Sequence, residues 1–150
     1  MNDLEMTPDG LALTTQPWFK RIHHVGIAVQ DLASAIPTYE LLFGEPVQRI
    51  EEVLDQKVRT AFFRVGESHF ELLEAMDPSS PIAKYLDKKR PGIHHICVEV
   101  HDIEAALDHY QQQDLQLIDQ KAKPGAHGMM VAFIHPRATG GVLLEIAQTA

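Results

Sequence analysis

Cysteine is almost absent: Cys97 is the only one in 150 residues. A single thiol cannot close an internal disulfide, so the disulfide-stapled secreted scaffolds are excluded. Cys97 lies in the apolar run ICVEV and reads as a small buried hydrophobe. Basic residues are also scarce. Thirteen Lys and Arg stand against 21 Asp and Glu, for a net charge of −8. With no cationic surplus to neutralise phosphates, nucleic acid is not the expected partner. A phosphorylated small molecule held by a local basic patch stays open. No apolar run approaches the ~20 residues that span a bilayer, so no membrane association is expected. The N-terminus lacks the basic flank and apolar core of a signal peptide and is too acidic for a transit peptide. A reducing, cytoplasmic setting is the resulting expectation.

What the chain has in abundance is itself, twice over. Residues 23–44 read HHVGIAVQDLASAIPTYELLFG, and residues 94–115 read HHICVEVHDIEAALDHYQQQDL. Each copy runs from a His-His pair through a short apolar stretch and an acidic turn into a helix-like segment with a tyrosine. The step from His24 to His95 is 71 residues. Each copy also ends in an acidic strand containing Leu-Leu: FELLEAM at 70–76 and VLLEIAQ at 142–148.

The pattern predicts a strand over 23–29, then a helix capped by Asp31 and closed by Gly44. Strands over 46–53, 57–65 and 68–75 follow, with a turn at Gly66-Glu67. The link 77–92 holds a short helix through Ile82, Tyr85 and Leu86. The second copy repeats the plan: strand 94–100, helix 103–113, strands near 116–121, 129–135 and 141–148. The expected fold class is therefore α+β, two tandem βαβββ modules (about 21–76 and 92–149) forming one curled mixed sheet around a central cavity. Neither half could cover its own small sheet. Residues 1–20 show no period and read as a loose leader that packs locally through Trp18 and Phe19; residues 21–150 read as a single domain.

Side chains alternate across a strand. His24, Gly26 and Ala28 share one face, as do His95, Cys97 and Glu99. Those faces carry small or polar groups and suit a cavity. The β-branched residues of the opposite faces need helices over them, and alternation sends His23 and His94 there too. Two histidines at equivalent positions on small-residue faces are hard to explain by packing, and they point to metal ligation by His24 and His95. Glu145, in an otherwise apolar strand, is costly to bury unless paired or metal-bound. In the first module Glu71 and Glu74 compete and face opposite ways. The repeat step favours Glu74, provided no insertion separates the modules; spacing leaves the choice open. Two histidines with carboxylates match an open site for a divalent transition ion rather than magnesium or calcium.

Paired modules with HHVGIAV, ELLE, SSPIAKYL, GIHHICVEV, PGAHG, VAFIHP and GGVLLE resemble the methylmalonyl-CoA epimerases of the vicinal oxygen chelate superfamily. The resemblance covers about residues 21–148. It implies an isomerase that interconverts (R)- and (S)-methylmalonyl-CoA by proton abstraction and return. It implies a divalent ion, cobalt first, with zinc, nickel or manganese as substitutes. Carried onto this chain, the ligands are His24, Glu71, His95 and Glu145, with Glu145 also a catalytic base. The family pattern puts the ligand at the first acidic residue of ELLE and so selects Glu71; some relatives have an amide there. Some relatives carry a glutamate at the position matching Thr60, which leaves the second base open among Glu71, water and His127. Candidate cations for coenzyme A are Lys88-Lys89-Arg90, Lys121, Lys123 and Arg137. A homodimer is implied by resemblance. The alternatives are a glyoxalase-type isomerase, an extradiol-type dioxygenase, and a metal-free binding module.

Overall fold

The computed structural model describes Met6, residues 8–10 and residues 18–150. The expected leader falls largely outside the described residues. Trp18 packs against the core of the second half, and its carbonyl accepts the amide of His101 at 3.1 Å.

The strands are β1 (Phe19–Ala28), β2 (Arg49–Val53), β3 (Val58–Val65), β4 (Ser68–Ala75), β5 (Gly92–Val100), β6 (Lys123–Pro124), β7 (Met130–Ile134) and β8 (Leu144–Gln148). The helices are α1 (Leu32–Phe43), α2 (Pro81–Lys88) and α3 (Ile103–Gln112). All eight strands form one curled sheet in the order β2-β3-β4-β1-β5-β8-β7-β6. At its centre β1 and β5 run antiparallel. Outward from there β1 pairs parallel with β4, and β5 pairs parallel with β8. The two halves are thus related by a pseudo-twofold axis between β1 and β5.

Local chemistry places the helices as expected. Asp31 accepts the Ser34 amide at 2.7 Å and Asp102 accepts the Ala105 amide at 3.0 Å, each capping its helix. Gly44 ends α1 with a φ of 69°, a conformation glycine adopts at no steric cost. Leu32, Ile36, Tyr39 and Phe43 of α1 pack on Val29, Phe63 and Leu72. Ile103, Ala106 and Leu107 of α3 pack on Val100, Ile134 and Ile146. Burying each large aliphatic or aromatic side chain stabilises by about 1.5–3 kcal/mol. These layers cover one face of the sheet and leave the other for the cavity.

Two expectations fail. Residues 116–121 do not form a strand; Leu117 makes one isolated bridge to Ile134. The Asp119 carboxylate accepts the Phe133 amide at 2.8 Å, a place that a strand's carbonyl would take. The edge position passes to the two-residue β6. The second failure concerns His23 and His94, which do not enter the layer covered by α1 and α3; His94 packs instead on Tyr85 of α2. The β1–β5 register slips at both positions, and each ring turns to the cavity side to meet the histidine that follows it.

Candidate metal centre and active site

The central ladder sets where the histidines reach. His24 lies opposite Cys97, and Gly26 lies opposite His95. Each imidazole therefore leans over a small partner on the neighbouring strand. At Gly26 the requirement is strict, because a Cβ there would overlap the His95 ring. The same two small residues have the carboxylates as outer neighbours: Gly26 pairs with Glu71 across β1–β4, and Cys97 with Glu145 across β5–β8.

This register makes Glu71, and not Glu74, the counterpart of Glu145. Phe62 and Phe133 keep the 71-residue step, and they pair with Glu71 and Glu145 respectively. The excess residues of the second half lie in the β7–β8 connection, where β3 and β4 have only a tight turn. Glu74 faces α1: it accepts the Leu32 amide at 3.3 Å and binds Arg59 at 3.1 Å.

The structure brings the four expected residues together, all of them buried. His24 Nε2 and His95 Nε2 face each other at 3.0 Å. Glu145 Oε1 stands 3.2 Å from the first and 3.5 Å from the second. Glu71 Oε2 lies 2.7 Å from the other ring nitrogen of His24. So His24, His95 and Glu145 form the tight group, and Glu71 approaches from the Nδ1 side of His24. His24, His95, Glu71 and Glu145, with Thr60, Gln56 and Met129, enclose a cavity of about 20 Å³. That is room for one water or ion.

Electrostatics favours a divalent cation there. Burial disfavours charge on every group. Even so, His24 is raised well above 6.5, because the Glu71 charge and hydrogen bonds with Cys97, Glu145 and Glu71 outweigh burial. Burial likewise opposes ionisation of Glu145 and Glu71, but His95 and His24 hold Glu145, and His24 holds Glu71, below the usual carboxylate range. One imidazolium between two carboxylates leaves a buried negative excess. A divalent ion with two neutral imidazoles would cancel it, and the donor set is that of a transition ion. Burial, then the neighbouring histidine, pushes His23 and His94 down to about 4. A second group, His23, His24 and Cys97, also has donor atoms within 4.8 Å of one another. Its thiol is pushed up to about 12 by burial, which makes it a poor anionic ligand.

Beside the cluster lies a mostly apolar cavity of about 220 Å³, walled by Val58, Leu73, Ile82, Ile118 and Phe133. It shares His95 and Gln56 with the metal cluster. Asp55, in the single helical turn Leu54–Gln56, is the carboxylate on its wall. The sequence reading missed Asp55, since nothing local distinguishes it from other acidic turn residues. Thr60 lines the cluster from β3. His127 packs on Phe62 with ring centres 4.3 Å apart, and its Nε2 is buried without a partner. Of the expected coenzyme A cations, Lys123 lines the apolar cavity, and its ammonium sits 5.4 Å over the Phe133 ring. Lys89 lies over Tyr85, and Lys121 lines a separate groove with Glu104 and Asp108.

Residues 23–133 match the Glyoxalase/Bleomycin resistance protein/Dioxygenase superfamily. The chain is 39% identical over 129 residues to the mitochondrial methylmalonyl-CoA epimerase of Homo sapiens, covering 85% of this chain and 73% of that protein. The methylmalonyl-CoA epimerase of Mycobacterium tuberculosis superposes with a TM-score of 0.85 at 36% identity, covering 92% and 93% of the two chains. A Streptomyces coelicolor methylmalonyl-CoA epimerase in complex with 2-nitronate-propionyl-CoA superposes at 0.83 with 30% identity, covering 88% and 96%. With its duplicated half-sheets and its histidine–glutamate cluster on the shared axis, the chain belongs to the glyoxalase/bleomycin resistance protein/dioxygenase superfamily and, within it, to the methylmalonyl-CoA epimerases.

Proposed function

We propose that this protein interconverts (R)- and (S)-methylmalonyl-CoA by taking the proton from the carbon between thioester and carboxylate on one face and returning it on the other. The observation that carries this reading is the convergence of two imidazoles and Glu145 within 3.0–3.5 Å, buried beside an apolar cavity. A divalent ion held by His24, Glu71, His95 and Glu145, cobalt first and zinc, nickel or manganese as substitutes, supplies positive charge that acidifies the carbon–hydrogen bond.

The chain's own groups divide the remaining work. The apolar walls around Phe133 and Leu73 hold the acyl portion and exclude water. Lys123 meets negative charge at the cavity. Glu145 moves the proton on one face. Asp55, which lines the same cavity as His95, is the carboxylate that serves the other face. Residues 21–150 act as one domain in this reading. A cytoplasmic homodimer completes it, and light scattering of the purified protein measures the assembly.

The test is incubation with single-isomer methylmalonyl-CoA in deuterated water. Deuterium at the central carbon, appearing with inversion, is expected. Inversion without solvent deuterium, or no inversion in metal-loaded protein, overturns the proposal.

A further inference from the structure

His127 takes no part in the proton transfers, yet its backbone is strained to place it. It sits in the single turn Ala126–Gly128 with φ 59° and ψ 19°. A residue other than glycine holds that left-handed conformation only where its surroundings impose it. Ala126 before it and Met129 after it line the ion cavity beside His24 and Glu71. The ring centre lies 4.3 Å from that of Phe62, 5.5 Å from His69 and 5.6 Å from His23.

Arg49 tells the two ring nitrogens apart. A guanidinium only donates. Arg49 Nη2 has two hydrogens: one goes to Glu51 at 2.9 Å and the other to His127 Nδ1. Nδ1 is therefore the acceptor. Burial pushes the ring below the usual imidazole range, so it is neutral and its one proton sits on Nε2. That Nε2–H is buried, and among the described residues nothing accepts it. With its lone pair engaged by Arg49, the ring cannot serve as the second base. A buried N–H without an acceptor is costly. Nδ1 of the neighbouring His69 is likewise buried without a partner. Together they mark a place where a polar group of a ligand belongs.

The ion cavity of about 20 Å³ has no room for an acyl group. Substrate entry must displace a wall, and the Ala126–Gly128 turn is a wall that carries an unpartnered donor. We propose that His127 is a substrate-binding residue: its Nε2–H donates to the carboxylate of the methylmalonyl group, with Arg49 fixing the tautomer from behind. The role rests on the epimerase reading above and deepens it, since it selects acyl groups that carry a carboxylate on the reacting carbon. The guanidinium also polarises the ring, which strengthens the bond that Nε2 donates.

The test compares two ligands, methylmalonyl-CoA and propionyl-CoA, which share the thioester and differ by the carboxylate. Calorimetry measures their affinities for zinc-loaded wild-type protein, His127→Phe and His127→Gln. Phenylalanine keeps a ring without a donor. The glutamine amide nitrogen stands as many bonds from Cβ as Nε2 does and can donate. His127→Phe is expected to bind methylmalonyl-CoA about 10–100-fold more weakly, with glutamine restoring most of the loss. Propionyl-CoA is expected to bind all three proteins alike. Nitrogen-15 spectra of the wild type are expected to show the His127 proton on Nε2, shifting with methylmalonyl-CoA and not with propionyl-CoA. Wild-type affinity for methylmalonyl-CoA in His127→Phe, or equal weakening for both ligands, overturns the inference and leaves inversion with solvent deuterium intact. If His127→Phe does not fold, the wild-type spectrum decides; a proton on Nδ1, or the same shift with either ligand, overturns it. Wild-type protein that neither binds nor inverts methylmalonyl-CoA overturns the epimerase reading itself, and the inference with it.

Discussion

The two halves of the sheet share a frame and differ in what they hang on it. Strands β1, β3 and β4 match β5, β7 and β8 in order and pairing sense. His24 and His95 occupy matching positions, as do Gly26 and Cys97. The connections diverge. The turn at Leu54–Gln56 brings Asp55 and Gln56 to the cavities, whereas its counterpart Ala126–Gly128 brings only Ala126. The lesson is a division of labour. The repeated ladder can only place identical groups symmetrically about the axis, which suits an ion. The loops escape the symmetry, which suits a reaction whose two faces need different groups.

The comparison breaks most visibly at the ligands. His95→Ala should lose the ion and lower turnover by about three orders of magnitude or more, since several kcal/mol of charge stabilisation leave with it. Metal analysis and the racemisation assay read both effects. Among the carboxylates, Glu145→Gln should cost about 10²–10⁴ in kcat as a lost proton-transfer group. Glu71→Gln should keep the ion and most activity, because an amide oxygen can replace the carboxylate there.

Asp55→Asn sharpens the contrast between loops. Inversion should fall by about 10²–10⁴, while deuterium exchange into one isomer survives through the intact face. Equal loss of exchange in both isomers would place Asp55 outside the chemistry.

A smaller effect separates two matching positions. Gly26→Ala should displace the His95 ring and destabilise the fold by about 1–3 kcal/mol by overpacking. Cys97→Ala should cost only about 1 kcal/mol, roughly one buried methylene. Thermal unfolding of the ion-free protein measures both.

The smallest contrast is one of pH. In the ion-free protein the raised His24 stabilises fully below about pH 6.5, and this is lost as pH rises through its folded value. The depressed Glu145 stabilises above its ordinary range, and this is lost as pH falls through its folded value. The contribution of these two groups is therefore full between about pH 4.5 and 6.5 and falls on either side. Ion binding displaces the His24 proton, so affinity should rise with pH across that interval, as calorimetry at several pH values would show.

Much of this was legible in the chain. The repeat, the helix caps at Asp31 and Asp102, the closing Gly44 and the cavity-facing His24 and His95 all follow from local patterns. Glu71 was ambiguous because the residues that break the repeat step lie in the β7–β8 connection, far from ELLE. His23 and His94 were assigned to the wrong layer because alternation holds only while strand register is unbroken. Residues 116–121 look strand-like, but a side-chain carboxylate at Asp119 replaces the ladder there.

By itself, then, the sequence determined that two equal modules exist and which imidazoles they contribute, because periodicity and capping are written in neighbouring residues. Family resemblance selected Glu71 over Glu74, but only tertiary structure gave the register that pairs it with Glu145, turned both leading histidines inward, and brought Asp55 and Lys123 to one cavity. Register is a relation between strands, and a bulge or an insertion shifts it without leaving a mark on either strand's own pattern.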